Sequence, residues 1–158
     1  MIIIEGCDNT GKSTLILSLA TDLRMATARS TGRPGSERAI QDYHSWCEDC
    51  PQKLILDRHP ALSDLVYGSL LRNHTHSDLG LAHRVVEDHF LIYCRPPTSK
   101  VIANILDREQ MEGVTANAIK LLQGYDDLMS LLQPDFTYDY TQPDAYEELK
   151  NAINSAAY

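Results

Sequence analysis

Apolar positions along the chain alternate between two periods. Ile2-Ile3-Ile4, behind Met1, is a short unbroken β-branched run, as in a strand covered on both faces. Ser13 to Arg24 carries Leu15, Leu19 and Leu23 at i, i+4 and i+8, which predicts an amphipathic helix. Ala26 to Arg29 gives a weaker strand signal, and the turn residues Gly32, Pro34 and Gly35 lead to a helix over Ser36 to Trp46. Lys53 to Asp57 reads as a second buried strand, with Pro60 opening a helix to about Arg72. Helical spacing over Asp78 to Asp88 precedes a strand at Phe90 to Cys94, and Pro96-Pro97 starts a helix to about Asp107. Glu109 to Gly113 reads as a loop, and Ile119, Leu122, Met129 and Leu132 space out a long helix that Pro134 ends. A strand at Phe136 to Tyr140 and a helix at Asp144 to Ala156 complete the order. Strands alternating with helices imply βαβ crossovers, hence an α/β fold of three layers around a parallel, five-stranded sheet.

The 158 residues contain no repeat, linker or low-complexity tract, so residues 1–158 are read as one domain. A net charge of −8 argues against extended nucleic acid, which is gripped by neutralising many phosphates. No apolar run is long enough to predict a membrane span, and four cysteines do not make a disulfide scaffold, so a cytoplasmic setting is expected.

Candidate chemistry concentrates where the first strand meets the first helix. Gly6-Cys7-Asp8-Asn9-Thr10-Gly11-Lys12-Ser13 matches G-x4-G-K-[ST] at every fixed position, in a strand–loop–helix context. Such a loop aims successive N–H groups at a polyphosphate, and the helix dipole adds to that field. The backbone from Asp8 to Thr14 is therefore assigned to ATP phosphates, with Lys12 on the β- and γ-phosphates and Ser13 on Mg²⁺. A guanine-reading N-K-x-D is absent, which disfavours a switch GTPase, and Asp57 is followed by Arg58 rather than by the Glu of a motor ATPase. A carboxylate and a guanidinium at the end of a strand beside the phosphate loop suit phosphoryl transfer to a bound acceptor, or form a plain strand-end ion pair.

The stretch Glu5-Gly6-Cys7-Asp8-Asn9-Thr10-Gly11-Lys12-Ser13-Thr14 resembles the E-G-x-D-x-x-G-K-[ST]-T opening of thymidylate kinases. Arg33-Pro34-Gly35 sits where that family has an R-E-P-G-G turn, without the Glu, and Asp57-Arg58-His59 resembles its D-R-[YFH] motif. Ser63 and Tyr67 resemble the S-x-x-A-Y stretch that follows, with one extra residue between them. Together with Asp57-Arg58-His59-Pro60 and Gln110-Met111-Glu112-Gly113-Val114, the pattern is most similar to the short thymidylate-kinase-like proteins of bacteriophages. The resemblance implies a P-loop fold and transfer of the ATP γ-phosphoryl to a deoxynucleoside monophosphate such as dTMP, in a host cytoplasm. It leaves room for a homodimer. It also implies an acceptor site of Asp8, Arg33, Ser63 and Tyr67. Asp57 would organise Mg²⁺ and Arg58 would bridge phosphates. With Asn9 and Thr10 in the loop where some relatives carry arginine, a short lid over about 108–114 would supply the catalytic Arg108, with Arg95 the second candidate.

Plainer readings stand beside these. Asp8 can cap the loop, Arg33 can be a solvated surface cation, Arg108 can belong to a helix-face charge cluster, and Tyr67 can be core. His44, Cys47 and Cys50 have ligand-like H-x2-C-x2-C spacing but lack the second pair a structural zinc site wants. His83 and His89 are read as solvent-facing helix residues, and Cys7 either packs as a small hydrophobe or reacts in the field of the loop. The rival functions are a deoxynucleoside kinase using Asp57 as base, a kinase of a hydroxyl on DNA or a modified base, and a nucleotide-binding regulator without turnover.

Overall fold

A computed structural model describes residues 1–30, 34–107 and 113–156. Five parallel strands, β1 (Ile2–Glu5), β2 (Ala26–Arg29), β3 (Leu54–Asp57), β4 (Phe90–Cys94) and β5 (Phe136–Tyr138), run in the order β2-β3-β1-β4-β5. The central strand β1 sets Ile3 beside Leu56 on one flank and Leu91 on the other. Its β-branched run is wholly buried because both neighbouring strands and both faces are covered.

Alternation along the strands divides the core. Ile2, Ile4, Ile55, Phe90 and Ile92 meet α1 (Lys12–Leu23) and α7 (Ala145–Ser155) on one face. Ile3, Leu54, Leu56, Leu91 and Tyr93 meet the other helices on the opposite face. Those are α2 (Glu37–Glu48), α3 (Pro60–Tyr67), α4 (Leu79–Glu87), α5 (Thr98–Leu106) and α6 (Val114–Leu132). The expected three-layer architecture and the strand count are both present. No helix among the described residues is long and apolar enough to cross a membrane.

Three elements differ from the sequence expectation. The helix from Pro60 stops at Tyr67 and continues as a π-helical turn, Gly68–Arg72. Ser69 donates to the carbonyls of Leu65 and Val66, loosening the ladder there, and Asp64 anchors the segment by accepting from Arg72, His76 N and Ser77 N. Strand β5 ends at Tyr138, because Asp139 turns its carboxylate onto the backbone N–H and hydroxyl of Thr141. On α6, Ile119 faces solvent, whereas Leu121, Tyr125 and Leu128 carry the buried stripe with Leu122, Met129 and Leu132.

Candidate functional site

Parallel strands deliver their C-terminal ends to one edge, and the groups singled out from the sequence gather there. The phosphate loop leaves β1 through Gly6, at φ +143°, where an added Cβ would lie 2.7 Å from the Cys94 carbonyl oxygen. It enters α1 through Gly11, at φ +88°, where a Cβ would press 2.8 Å from the Tyr140 ring. Only glycine fits both positions. No side chain caps α1, so its first-turn N–H groups remain for an anion. Thr10 is buried and donates to the Cys7 carbonyl at 2.9 Å, bracing the loop from within. Asn9 holds a left-handed conformation, φ 61°, and its carbonyl accepts from Asn104, which also donates to the Tyr140 hydroxyl. Thus α5 and the segment after β5 are both tied to the loop.

Asp8, Asn9, Gly11, Lys12, Ser13, Thr14, Arg29, Asp57 and Arg58 line one cleft of about 210 Å³. Lys12 is folded back onto the Gly6 and Cys7 carbonyls, at 2.9 and 2.5 Å. Burial, with Arg58 adding to it, brings its ammonium down to about 8, despite the opposing pull of Asp8. Ser13 is exposed at the start of α1 and Asp57 ends β3 within the same cleft. A hydroxyl and a carboxylate are hard oxygen donors, so this pair fits Mg²⁺.

Arg58 ties Asp8 and Tyr67 to the loop. Its backbone is left-handed, φ 67°, a costly conformation for a non-glycine residue. Its Nη2 donates to Asp8 Oδ1 at 2.8 Å, to the Tyr67 hydroxyl at 2.9 Å and to the Gly6 carbonyl at 3.2 Å. The Tyr67 hydroxyl in turn donates to Asp8 Oδ2 at 2.8 Å. Burial works against the Asp8 charge, but Arg58 and Lys12 hold its carboxyl below the usual range. Tyr67 is therefore both things the sequence allowed: its ring packs edge-on against Tyr125, and its hydroxyl reaches the site.

Beneath these groups lies a buried carboxylate. Glu5 Oε1 accepts from His59 N at 2.7 Å and Oε2 from the Tyr125 hydroxyl at 3.2 Å. Burial pushes the Glu5 carboxyl up to about 7, although Arg58 and the His59 N–H pull the other way. His59 caps α3, its Nδ1 accepting from Ala61 N at 3.1 Å, and burial brings it down to about 3, so it is neutral.

Not every expected residue joins the cleft. Ser63 turns its hydroxyl back to the His59 carbonyl at 3.2 Å and does not line it. Arg95 grips Asp126 with Nε and Nη2, at 2.7 and 2.9 Å, and is committed there as an ion pair. Cys7 is fully buried with its thiol pushed up by desolvation, so it packs as a hydrophobe. Arg33, Arg108 and the expected lid segment up to residue 112 lie outside the described residues. Conversely, Arg29 belongs to no motif in the sequence, yet its Nε lies 3.4 Å from Asp57 Oδ2 at the same strand edge. Its signal was its position, the last residue of a strand adjoining the Asp57 strand. Tyr125 and Tyr140 gave no such signal, because only the fold brings them near the loop.

A five-stranded parallel sheet with a G-x4-G-K-S loop between its central strand and first helix matches the fold of P-loop kinases, and solved structures superpose on nearly the whole chain. YorR from Bacillus subtilis, solved in complex with phosphorylated GDP, matches with a TM-score of 0.78 at 19% identity, over 98% of this chain and 94% of that one. Deoxyadenosine kinase from M. mycoides, with products dCMP and dCDP, matches at 0.66 and 17% identity, over 98% of each chain. Shikimate kinase from Aquifex aeolicus matches at 0.64 and 11% identity, over 99% of this chain and 97% of that one. These identities establish the fold. No protein-family model and no curated protein matches the chain.

Proposed function

We propose that the protein is a thymidylate-kinase-like phosphotransferase, of the short phage-encoded type, that moves the γ-phosphoryl of ATP to a deoxynucleoside monophosphate such as dTMP. The observation that carries this reading is the Asp8–Tyr67–Arg58 triangle, whose Asp8 and Arg58 line the same cleft as Lys12, Ser13 and Asp57, with Tyr67 bracing both from outside it. Donor-phosphate groups and a polar acceptor wall thus share one strand edge, and phosphoryl transfer needs chiefly positioning and charge neutralisation.

In this reading the loop N–H groups from Asp8 to Thr14 bind the donor phosphates. Lys12 leaves the Gly6 and Cys7 carbonyls, which it holds in the free protein, for the β- and γ-phosphates. Arg58, fixed at its strained backbone by three hydrogen bonds, presents its guanidinium between the two phosphate positions. Asp8, aligned by Tyr67, faces the acceptor sugar. Ser13 and Asp57 would hold Mg²⁺, which supplies charge neutralisation on the β- and γ-phosphates when bound. Arg33 grips the acceptor phosphate, and Arg108, arriving with a lid over 108–114, stabilises the transferring group, a contribution worth about 10³–10⁵ in rate. The work takes place in the cytoplasm, on small nucleotides rather than on long nucleic acid.

The second reading is a deoxynucleoside kinase, favoured by the likeness to M. mycoides deoxyadenosine kinase. There Asp57 would take the proton of the sugar hydroxyl, and Arg33 would have no phosphate to bind. Radiolabelled ATP, tested against a panel of deoxynucleosides and their monophosphates, separates the two. Transfer to monophosphates, with Arg33→Ala raising the acceptor KM far more than the ATP KM, is the expected result. Transfer to nucleosides alone overturns it in favour of the second reading, and no transfer to any acceptor overturns both.

A further inference from the structure

Three side chains with no part in the proposed transfer converge on the other edge of the sheet. His44 and Glu48 stand one turn apart on α2, and His89 lies in the turn just before β4. His89 was expected to face solvent from a helix; instead α4 ends at Glu87 and the His89 side chain is only 8% exposed. Its Nε2 lies 2.7 Å from Glu48 Oε1, and one ligand atom from each of the three residues falls within 4.8 Å of the other two. The two imidazoles meet edge to face with centroids 6.1 Å apart. His44 Nδ1 and His89 Nδ1 are both buried without a hydrogen-bond partner, an arrangement that folded proteins seldom leave unsatisfied.

We propose that His44, Glu48 and His89 bind a divalent transition-metal ion of the zinc class, at a site separate from the Mg²⁺-nucleotide cleft. Two imidazoles and one carboxylate are the borderline donor set such ions take, whereas Mg²⁺ prefers oxygen alone. The H-x3-E spacing puts both α2 ligands on one helix face, and the third arrives from the sheet. Glu48 is half exposed, so water has access to a fourth position. Among the charged groups facing His44, the Glu48 carboxylate acts most strongly, and His89 and, on α4, Arg84 act against it. Neither Cys47 nor Cys50 belongs to the cluster, so the ligand set is not the H-x2-C-x2-C run seen in the sequence. A bound ion would fasten the end of α2 to the start of β4.

The test is equilibrium dialysis of the full chain against Zn²⁺ alone, in excess Mg²⁺ so that the oxygen-lined cleft is already served. One Zn²⁺ per chain is expected. Glu48→Gln, a half-exposed change that keeps its shape, should weaken binding by about tenfold or more, the scale on which metal sites respond to losing a supporting group. His44→Ala should weaken it further, Arg84→Gln should tighten it, and Cys50→Ser should leave it unchanged. Substoichiometric binding, binding that survives both Glu48→Gln and His44→Ala, or binding lost with Cys50→Ser would each overturn the proposal. None of these outcomes depends on catalytic activity.

Discussion

The two faces of the sheet are built from different materials. The face under α1 and α7 is closed by aliphatic and aromatic packing around Leu15, Leu19, Ile4, Ile55 and Leu149. The face under α3 and α6 has a comparable apolar core but also encloses Glu5, His59, Asp64 and the hydroxyls of Tyr67 and Tyr125. Buried polar groups call for partners, and most of these atoms find them in the network and the backbone around it, His59 Nε2 and Arg58 Nε being the exceptions. Glu5 binds His59 and Tyr125, Tyr67 binds Asp8 and Arg58, and Asp64 ties down the chain from Arg72 to Ser77. One face is therefore a scaffold that holds α1 and its phosphate loop against the sheet. The other holds a polar network at the site, at a cost in desolvation that a simple core would avoid.

The largest effect that separates the faces should come from Lys12→Ala. On the proposed function, loss of the Lys12 ammonium should lower kcat by about 10²–10³ or more. Circular dichroism and thermal stability should hold, because the removed charge is one that burial disfavours in the free protein. Leu19→Ala tests the scaffold face in the opposite sense. This fully buried side chain should cost about 2–5 kcal/mol in urea unfolding, while both KM values stay within about twofold. Tyr67→Phe removes a single hydroxyl between two charged partners, worth about 1–2 kcal/mol, and should lower kcat/KM about tenfold. Stability should change less, and an unchanged kcat/KM would mean that the Asp8 orientation does not matter to acceptor binding.

The smallest effect is one of slope. The Glu5 carboxyl sits at about 7 in the folded chain against 4.5 as its ordinary value, so its stabilising contribution is complete below 4.5 and lost as pH rises through 7. Lys12 is displaced the other way, from 10.5 to about 8, so its contribution is complete above 10.5 and lost as pH falls through 8. Both contributions are absent between 7 and 8. Urea midpoints of the native chain should therefore decline from pH 5 to 7, and Glu5→Gln should flatten that decline. An identical slope in the variant would mean that a group other than Glu5 titrates over this range.

Much of this was legible in the residues, and the exceptions have physical causes. The apolar strands and the helices with clear spacing stood out because each is a local property of the chain, whereas β2, with the sequence Ala-Thr-Ala-Arg, gave only a weak signal. Local competition moved some boundaries: Ser69 and Asp139 offer the backbone side-chain hydrogen bonds, so the helix from Pro60 relaxes into a π-turn and β5 stops early. Gly6, Gly11, Lys12 and Ser13 were legible because a phosphate loop needs those residue types at fixed spacing. Asp57 and Arg58 were legible from position, at the end of a buried strand and one step past it.

What the sequence determined alone was thus the class of fold, the phosphate loop and the strand end opposite it, since all three follow from short-range pattern and steric necessity. The tertiary structure decided which other side chains meet them. Arg29 reaches Asp57 because β2 pairs with β3 in parallel register, setting Arg29 beside Asp57. Tyr125 reaches Glu5 because α6 packs across the sheet, and His89 reaches Glu48 because α2 ends beside the start of β4. Arg95, at the end of β4, was spent on Asp126 rather than on phosphate. Each of these meetings joins residues distant along the chain, and no local period encodes such a distance: it is fixed only when the layers pack and the buried charges find their partners.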